Sequence, residues 1–296
     1  MLKNRGLWGR LALFTAALIW GTSFVVLKSA LGNVGTMWTL AIRFSLAAAI
    51  MLIPAGRKLK NMDKRSLKGA VLMGVCLAAA YILQTFGLVF TSPGKNAFLT
   101  STYCVLVPFM AWAIYKRKPT GFNITAAVLC VTGIGLVALN SGFDEINVGD
   151  IITLMCGIFY SLQIIMMEQY IGGAEPLTIT GVQFTAAAVV CWLGALLFEA
   201  APTNVPVSAW MNILYLSVMC TAACFFLQAW GMRYTPSATA AMLLTLEAVF
   251  GALISVLFFG EVLTAKVFIG FVLIFVAVVV SEAGEELFAK HIRKKT

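Results

Sequence analysis

The chain repeats a set of residues at an almost constant offset, and each copy lies among five long apolar runs. Four residues recur 144 positions later: Leu83, Gln84, Gly87 and Thr91 return as Leu227, Gln228, Gly231 and Thr235. Three more recur 143 positions later: Pro93, Ala97 and Thr102 return as Pro236, Ala240 and Thr245. Because five is an odd number of crossings, the second half must enter the membrane upside down. Inverted repeats are typical of secondary transporters, whose substrate site lies near the bilayer midplane between the halves.

Ten uninterrupted apolar runs predict an all-α integral membrane protein with ten transmembrane helices, arranged as two inverted five-helix repeats. The runs cover about 11–31, 36–55, 67–90, 95–115, 121–139, 148–170, 177–199, 208–231, 236–259 and 263–283. Each is close to the ~20 residues that a helix needs to cross the hydrocarbon, and none shows the alternation of barrel strands. Composition agrees, because 11% of the residues are charged, whereas a soluble domain carries about 25%. The predicted units are a first repeat at 1–140, a second repeat at 148–283, and a basic cytoplasmic tail at 284–296.

Most of the 21 Lys and Arg lie in alternate loops and at the two termini. This arrangement follows the positive-inside rule and predicts a multi-pass protein of the cytoplasmic membrane with both termini cytoplasmic. The loop at 172–175 is the exception, because it is cytoplasmic by count yet has no basic residue. Topology therefore explains the net charge of +9, and no nucleic-acid partner is predicted.

Several kinds of chemistry are not supported by the sequence. The seven cysteines fall inside apolar runs without a CxxC pair, and they are interpreted as small packing residues. The single histidine, His291, lies in the predicted tail, so no buried metal site is predicted. No Walker A motif is present, which leaves transport that is downhill or driven by an ion gradient. No cofactor is predicted. The first apolar run is long enough to span, and it is interpreted as a retained helix instead of a signal peptide.

Five short motifs resemble those of the EamA-type drug/metabolite transporters. They are Trp20-Gly21-Thr22-Ser23-Phe24, Arg43-Phe44, Thr91-Ser92-Pro93-Gly94-Lys95-Asn96-Ala97, Leu246-Glu247 and Gly260-Glu261-Val262-Leu263-Thr264. Their order and spacing extend the resemblance over essentially the whole chain. The resemblance implies a ten-helix inner-membrane carrier, usually an exporter of amino acids or other small metabolites. It also implies a central cavity lined by the first, third, fourth, sixth, eighth and ninth helices.

The chain departs from the family pattern in two places. The family often has proline directly after the glutamate of the ninth helix, where this chain has Ala248. The first-half counterpart of Gly260-Glu261 is Arg117-Lys118, so the ends of the two repeats have diverged. The first departure leaves open whether the ninth helix breaks beside its glutamate.

Glu247 is the main candidate for the mechanism, because it lies at the centre of the ninth run. A charge at that depth costs about 2.5–3.5 kcal/mol on insertion scales, so the group must face a cavity or a partner, or stay protonated. One interpretation is a proton-coupling site or a site for a substrate ammonium group. The other is a structural acid that is hydrogen-bonded to a neighbouring helix.

Arg43, in the second run, has a similar pair of interpretations. It could recognise a substrate carboxylate, or it could snorkel to the outer face or pair with another helix, and the second interpretation is favoured because the second helix is peripheral in the family. An Arg43–Glu247 pair is a further hypothesis. The other candidate cavity residues are polar or aromatic side chains near the middles of their runs, for which a role in the cavity and a role in packing both stay open. They are Trp20, Ser23, Tyr81, Gln84, Asn96, Thr100, Tyr103, Tyr160, Gln163 and Gln228.

The favoured function is secondary active transport of a small metabolite by alternating access, with export as the favoured direction. The substrate would be an amino acid or a related compound, and the aromatic residues favour a hydrophobic or aromatic one. Proton coupling is a hypothesis motivated by Glu247. The alternatives are an uncoupled facilitator, a multidrug exporter, an integral-membrane enzyme and a structural membrane protein. The expected partners are the lipid bilayer, a small-molecule substrate and protons; the sequence sets no oligomeric state.

Overall fold

The computed structural model describes residues 2–116, 118–138, 147–173, 175–259 and 264–293, and its regular elements there are all helical. The first half contains α1 (Leu2–Leu31), α2 (Thr36–Ala55), α3 (Lys64–Phe90), α4a (Pro93–Thr100), α4b (Tyr103–Tyr115) and α5 (Gly121–Ala138). The second half contains α6 (Val148–Tyr170), α7 (Pro176–Phe198), α8 (Val207–Met232), α9a (Ser237–Leu244), α9b (Leu246–Phe259) and α10 (Ala265–Arg293). Arg117, the joint at 139–146 and the motif residues 260–263 lie outside the described residues.

The predicted fold class is confirmed, with each predicted run forming one helix or one broken helix. Eight of these helical stretches are long and apolar enough to cross a membrane. The fifth and tenth contain shorter apolar segments, Gly121–Leu136 and Ala265–Ala277. They occupy equivalent places in the two repeats, so the helices complete two inverted sets of five. The tenth helix continues beyond the predicted end at 283 as far as Arg293.

The fourth and ninth helices are each broken into two segments at matching positions. The first break falls at Ser101-Thr102 and the second at Thr245, which is the repeat counterpart of Thr102. The Thr102 hydroxyl donates to the Leu99 carbonyl at 2.8 Å, and the Thr245 hydroxyl donates to the Ala241 carbonyl at 2.8 Å. Threonine bonds of this kind compete with the helical ladder. The ninth helix therefore breaks beside Glu247 even though Ala248 replaces proline.

The eighth helix differs from its counterpart α3 by a π-helical segment at its centre. This segment covers Leu216–Ala223, whereas α3 is a continuous α-helix. A π-helical turn widens the helix and displaces the usual i→i−4 bonds, and such turns occur frequently at functional sites. The Thr221 hydroxyl donates to the Leu216 carbonyl at 2.8 Å within it.

Helix packing repeats the same pattern in both halves. Helix α3 crosses α6 as α8 crosses α1, while α2 packs on α7 and α5 packs on α10. The first two crossings are glycine contacts. A Cβ added at Gly87 would lie 2.8 Å from the Gly149 carbonyl oxygen, and one at Gly231 would lie 2.7 Å from the Gly9 oxygen. Small residues let helix backbones approach in membranes, where association depends on packing.

Glu175, in the loop that lacks basic residues, lies against the loop between α2 and α3, which is the most basic one. Glu175 forms an ion pair with Lys58 at 2.9 Å, and both side chains are largely exposed. Nearby, Asp63 caps α3 by accepting hydrogen bonds from the backbone N–H of Ser66 at 2.8 Å and from its hydroxyl at 2.7 Å. These bonds lower the pKa of Asp63 below its ordinary value, because they favour the ionised carboxylate.

We expect Gly87→Ala to destabilise the protein by about 1–3 kcal/mol, the usual cost of overpacking, because the new methyl group would meet the backbone of α6. Gly135→Ala is the matched control, since nothing lies within 4 Å of an added Cβ there. Thermal unfolding in detergent measures both variants. A Gly87→Ala protein as stable as the control variant would show that the α3–α6 crossing tolerates a wider separation.

Candidate functional site

A cavity lies between the two repeats, and all six helices that the resemblance implied contribute to it. Its lining residues are Trp20, Ser23 and Phe24 from α1, Tyr81 and Gln84 from α3, Tyr103 from α4b, Tyr160, Gln163 and Ile164 from α6, Phe225 and Gln228 from α8, and Leu244 and Glu247 from α9. The space among these side chains is about 410 Å³, counting the part that opens to solvent.

Nine of the eleven residues singled out from the sequence line this cavity together, and Asn96 and Thr100 do not. Both of these are fully buried behind Gln84. The Asn96 amide donates to the Gln84 backbone carbonyl at 3.1 Å and to the Thr153 hydroxyl at 2.8 Å. The Thr100 hydroxyl accepts a bond from the Gln84 amide nitrogen at 3.0 Å. The two residues hold Gln84 in place instead of facing the cavity.

Six of the thirteen residues that line the cavity are aromatic. Tyr160 packs edge-on against Tyr81 at 5.6 Å between ring centroids and against Tyr103 at 6.2 Å. Trp20 packs edge-on against Phe225 at 5.0 Å, and the Phe225 ring lies 6.3 Å from Tyr81, so these rings form one connected group. Edge-to-face rings at these distances attract each other and present both apolar faces and polar edges. A flat apolar or aromatic group fits such a wall.

Glu247 lies at the helix break, in the first turn of α9b. Its side chain is 6% exposed, and its Oε1 accepts a hydrogen bond from the Tyr103 hydroxyl at 3.2 Å. The free N–H groups and the dipole at a helix N-terminus favour negative charge there, as in the broken helices of other carriers. The break thus supplies the carboxyl with both a helix N-terminus and a place on the cavity wall.

Arg43 is buried among three helices, with 1% of its surface exposed. Its Nε donates to the Thr221 hydroxyl in the π-helical segment, and its Nη2 donates to the Tyr81 hydroxyl at 3.3 Å. The guanidinium carbon also lies 4.7 Å from the centre of the Tyr81 ring, in cation–π geometry. Snorkelling to the outer face is therefore wrong, and contact between helices is the observed arrangement. Among the described residues, no Arg43–Glu247 ion pair is present.

The two repeated glutamines have different surroundings. Gln84 is fully engaged, because its Oε1 accepts from the Tyr160 hydroxyl at 2.8 Å while its Nε2 donates to Thr100. Gln228 is 2% exposed, and its Oε1 has no hydrogen-bond partner in the structure. Most buried polar atoms are paired, and among the described residues that line the cavity this oxygen is the one that is both buried and unpaired.

The π-helical segment also receives the ring of Trp20. The indole N–H donates to the Cys220 carbonyl at 2.7 Å. In a regular α-helix that carbonyl would be occupied by the residue four positions later, so the wider turn makes it available to α1. The segment therefore connects α1 and α2 to the second repeat, through Trp20 and Arg43.

Sequence reasoning missed Phe225, Ile164 and Leu244 on the wall, and Thr221 beneath it. Each lies in a continuous apolar run, where nothing in the local pattern separates a cavity-facing side chain from a packed one. Phe24 was within a recognised motif, and its place beside Ser23 and Trp20 was the available signal.

The helices and the cavity define a multi-pass membrane protein built like a carrier, with its candidate site between inverted repeats. A profile described as the EamA-like transporter family matches residues 7–139 and 147–282. The chain therefore belongs to the EamA-like transporter family.

Similar proteins support the same class. An "uncharacterized transporter" of Archaeoglobus fulgidus is 31% identical over 276 residues, covering 93% of this chain and 85% of the relative. The "uncharacterized transporter YwfM" of Bacillus subtilis is 24% identical over 282 residues, covering 91% of this chain and 92% of the relative. A solved crystal structure that is 17% identical shares the fold, with a TM-score of 0.77 over 96% of this chain and 98% of that one. The family and the two transporter-named relatives indicate a transporter, and the solved structure indicates the same fold.

We expect Arg43→Lys to destabilise the protein by about 2 kcal/mol, because an ammonium group cannot keep both hydrogen bonds and the contact with the Tyr81 ring. Arg65→Lys, at an exposed position, should stay within about 0.5 kcal/mol of the parent. Thermal unfolding of the detergent-purified variants gives the comparison. Equal stability of the two would mean that Arg43 does not hold α2 against α3 and α8.

Proposed function

We propose that the protein is a secondary active transporter that exports a small metabolite with an apolar or aromatic part across the cytoplasmic membrane. Transport would proceed by alternating access between repeats at 1–140 and 148–283, with both termini cytoplasmic. The carrying observation is the cavity between the repeats, with its aromatic lining and with Glu247 on its wall at the break of the ninth helix. The family and the transporter-named relatives support the class, and the cavity wall supports the kind of substrate.

Glu247 is the proposed coupling group. A carboxyl group on the cavity wall can hold either a proton or a charged group of the substrate, and it cannot hold both. Alternate binding of protons from one side and substrate from the other then couples the two movements. Tyr103 orients the carboxyl in either state, since its hydroxyl donates to Oε1 and can also rotate to accept.

Alternating access requires the two ends of the bundle to open in turn, and one end is held by a polar network. Asp150, at the start of α6, accepts from the Thr91 hydroxyl at 2.9 Å and pairs with Lys95 at 2.7 Å. The Lys28 ammonium, near the end of α1, donates to the carbonyls of Leu88 at 2.6 Å and Thr91 at 3.0 Å. These bonds join α4a to α1, α3 and α6 at the end predicted to be external, and the last three helices line the cavity.

The opposite end, predicted to be cytoplasmic, has a depression of about 960 Å³, measured in the same way as the central cavity. It lies between the end of α6 and the turn from α8 to α9a, and is lined by Glu168, Ile171, Gly172, Met232, Arg233, Tyr234, Thr235 and Pro236. A closed external end and a cytoplasmic depression are the arrangement expected of an exporter before it takes up its substrate.

Glu247→Gln should abolish uphill transport driven by a pH gradient in proteoliposomes, because the amide cannot exchange a proton. Exchange of labelled for unlabelled substrate should persist at raised substrate concentrations, since it needs no net proton movement and the amide oxygen still accepts a hydrogen bond after the charge is lost. Glu175→Gln is the control, as its partner is the exposed Lys58. Gradient-driven accumulation by Glu247→Gln at the parental level would exclude the coupling role and favour a facilitator.

Asp150→Asn should weaken the polar network and raise hydrogen exchange of the backbone amides around 87–96, because the Lys95 pair and the charge that accepts from Thr91 are lost. An increase of about tenfold corresponds to the ~1.4 kcal/mol expected of a partly buried charged bond. Mass spectrometry of the purified protein in lipid nanodiscs reports the exchange, with Glu175→Gln as the matched ion-pair control. Unchanged exchange at 87–96 would contradict a closing role.

A further inference from the structure

We propose that Gln228 forms, with Glu247, a subsite that receives an N–H donor group of the cargo, so that the preferred cargo is a primary amine on an aromatic or apolar body. This deepens the proposed function and rests on it, because it assigns a substrate chemistry to the same cavity. The observation behind it is the unpaired Oε1 of Gln228, which is buried on the cavity wall.

Comparison of the two repeats shows why this oxygen has no partner. In the first repeat, Gln84 is held on both sides, by Thr100 and by Tyr160. At the 143-residue offset, Leu243 stands where the first repeat has Thr100, and leucine offers no hydrogen-bonding group. One of the two supports of the glutamine is therefore missing in the second repeat.

The residue that corresponds to Tyr160, the second partner of Gln84, forms its hydrogen bond with a different group in the second repeat. The equivalent helix crossings pair Gly9 of α1 with Gly149 of α6, and the same 140-residue offset pairs Trp20 with Tyr160. The indole N–H of Trp20 donates to the Cys220 carbonyl in the π-helical segment, and not to Gln228. Two separate differences thus leave this amide without the bonds that its counterpart has, and Gln228 is one of the residues that line the cavity.

The chemistry of the wall selects the ligand. An amide oxygen accepts hydrogen bonds, and an ionised carboxylate also only accepts. No Lys or Arg is among the described lining residues, so an anionic group would meet no cation there. The aromatic rings, by contrast, can attract a cation to their faces. An ammonium group satisfies Gln228 with one N–H and the Glu247 carboxylate with another, while the rings receive the body of the molecule.

Two probe molecules distinguish recognition of an N–H donor from recognition of positive charge. The first is 2-phenylethylamine, which is protonated at neutral pH and carries N–H donors. The second is its N,N,N-trimethyl derivative, which keeps the positive charge and has no N–H. Affinity of the purified full-length protein for each probe is measured by ligand-dependent thermal stabilisation and by calorimetry, in the parent and in Gln228→Met.

We expect Gln228→Met to weaken binding of 2-phenylethylamine about tenfold and to leave the affinity for the trimethyl derivative unchanged. Ser255→Ala is the control, because the Ser255 hydroxyl is also buried and unpaired but does not line the cavity. It should change neither affinity. Equal weakening of both probes by Gln228→Met would overturn the proposal, since the residue would then only shape the cavity. An unchanged affinity for the amine, as when a water molecule satisfies Gln228, would also overturn it.

Flux measurements separate this proposal from the proposed function. Parent proteoliposomes are assayed with a panel of labelled amino acids, nucleobases and amines. If a compound is carried but 2-phenylethylamine neither binds nor competes, the subsite proposal fails and transport stands. If the amine binds in a Gln228-dependent manner and nothing is carried, the subsite stands and the transport proposal fails.

Discussion

A polypeptide in lipid must satisfy its backbone polar groups internally, and this constraint governs where the protein can be irregular. Broken helices are tolerated at membrane depth only where they are buried in protein or line a cavity. Both breaks obey the rule, since the one after Thr100 leads into Tyr103 and the one at Thr245 leads into Glu247, and both side chains line the cavity. The threonine back-bonds at Thr102 and Thr245 use hydroxyl groups to end each ladder. The break at Thr245 therefore also positions Glu247 on the cavity wall.

The scaffold is nearly symmetric, whereas the chemistry on it is not. Gly87 on Gly149 and Gly231 on Gly9 give the two halves the same close helix crossings, and helix crossings tolerate little change in side-chain volume. The side chains facing the cavity escape that restriction. Glu247 corresponds to Cys104 at the 143-residue offset, and Gln84 and Gln228 keep their identity but not their partners. A symmetric frame allows both ends to open by related motions, while an asymmetric wall lets one orientation of cargo be preferred.

The number, order and inversion of the helices were predictable because a transmembrane helix imposes length and apolarity on every residue of its run. The cavity was also largely predictable, since polar residues in the middle of a run are costly in lipid and Trp and Tyr usually lie at the membrane interfaces. Nine of the eleven candidate residues line one cavity. Asn96 and Thr100 were misplaced because a polar group can be satisfied behind the wall as well as on it. The π-helical segment could not be predicted, because Leu216–Ala223 contains no proline or glycine. The break in the ninth helix could not be predicted with certainty either, because Ala248 stands where the family often has proline.

Arg43 gives the proposed coupling a physical basis although it does not line the cavity. Its guanidinium lies against Tyr81, whose ring forms part of the wall on which Glu247 also lies. With Glu247 ionised, the buried charges of these two residues balance, and a bound ammonium group makes the total positive by one. If a proton neutralises Glu247 while the ammonium is bound, two cations remain in a low-dielectric interior, where like charges repel strongly. Protonation thus removes the attraction to Glu247 and leaves the repulsion from Arg43. Cargo release would follow from that change in charge, without a new contact being required.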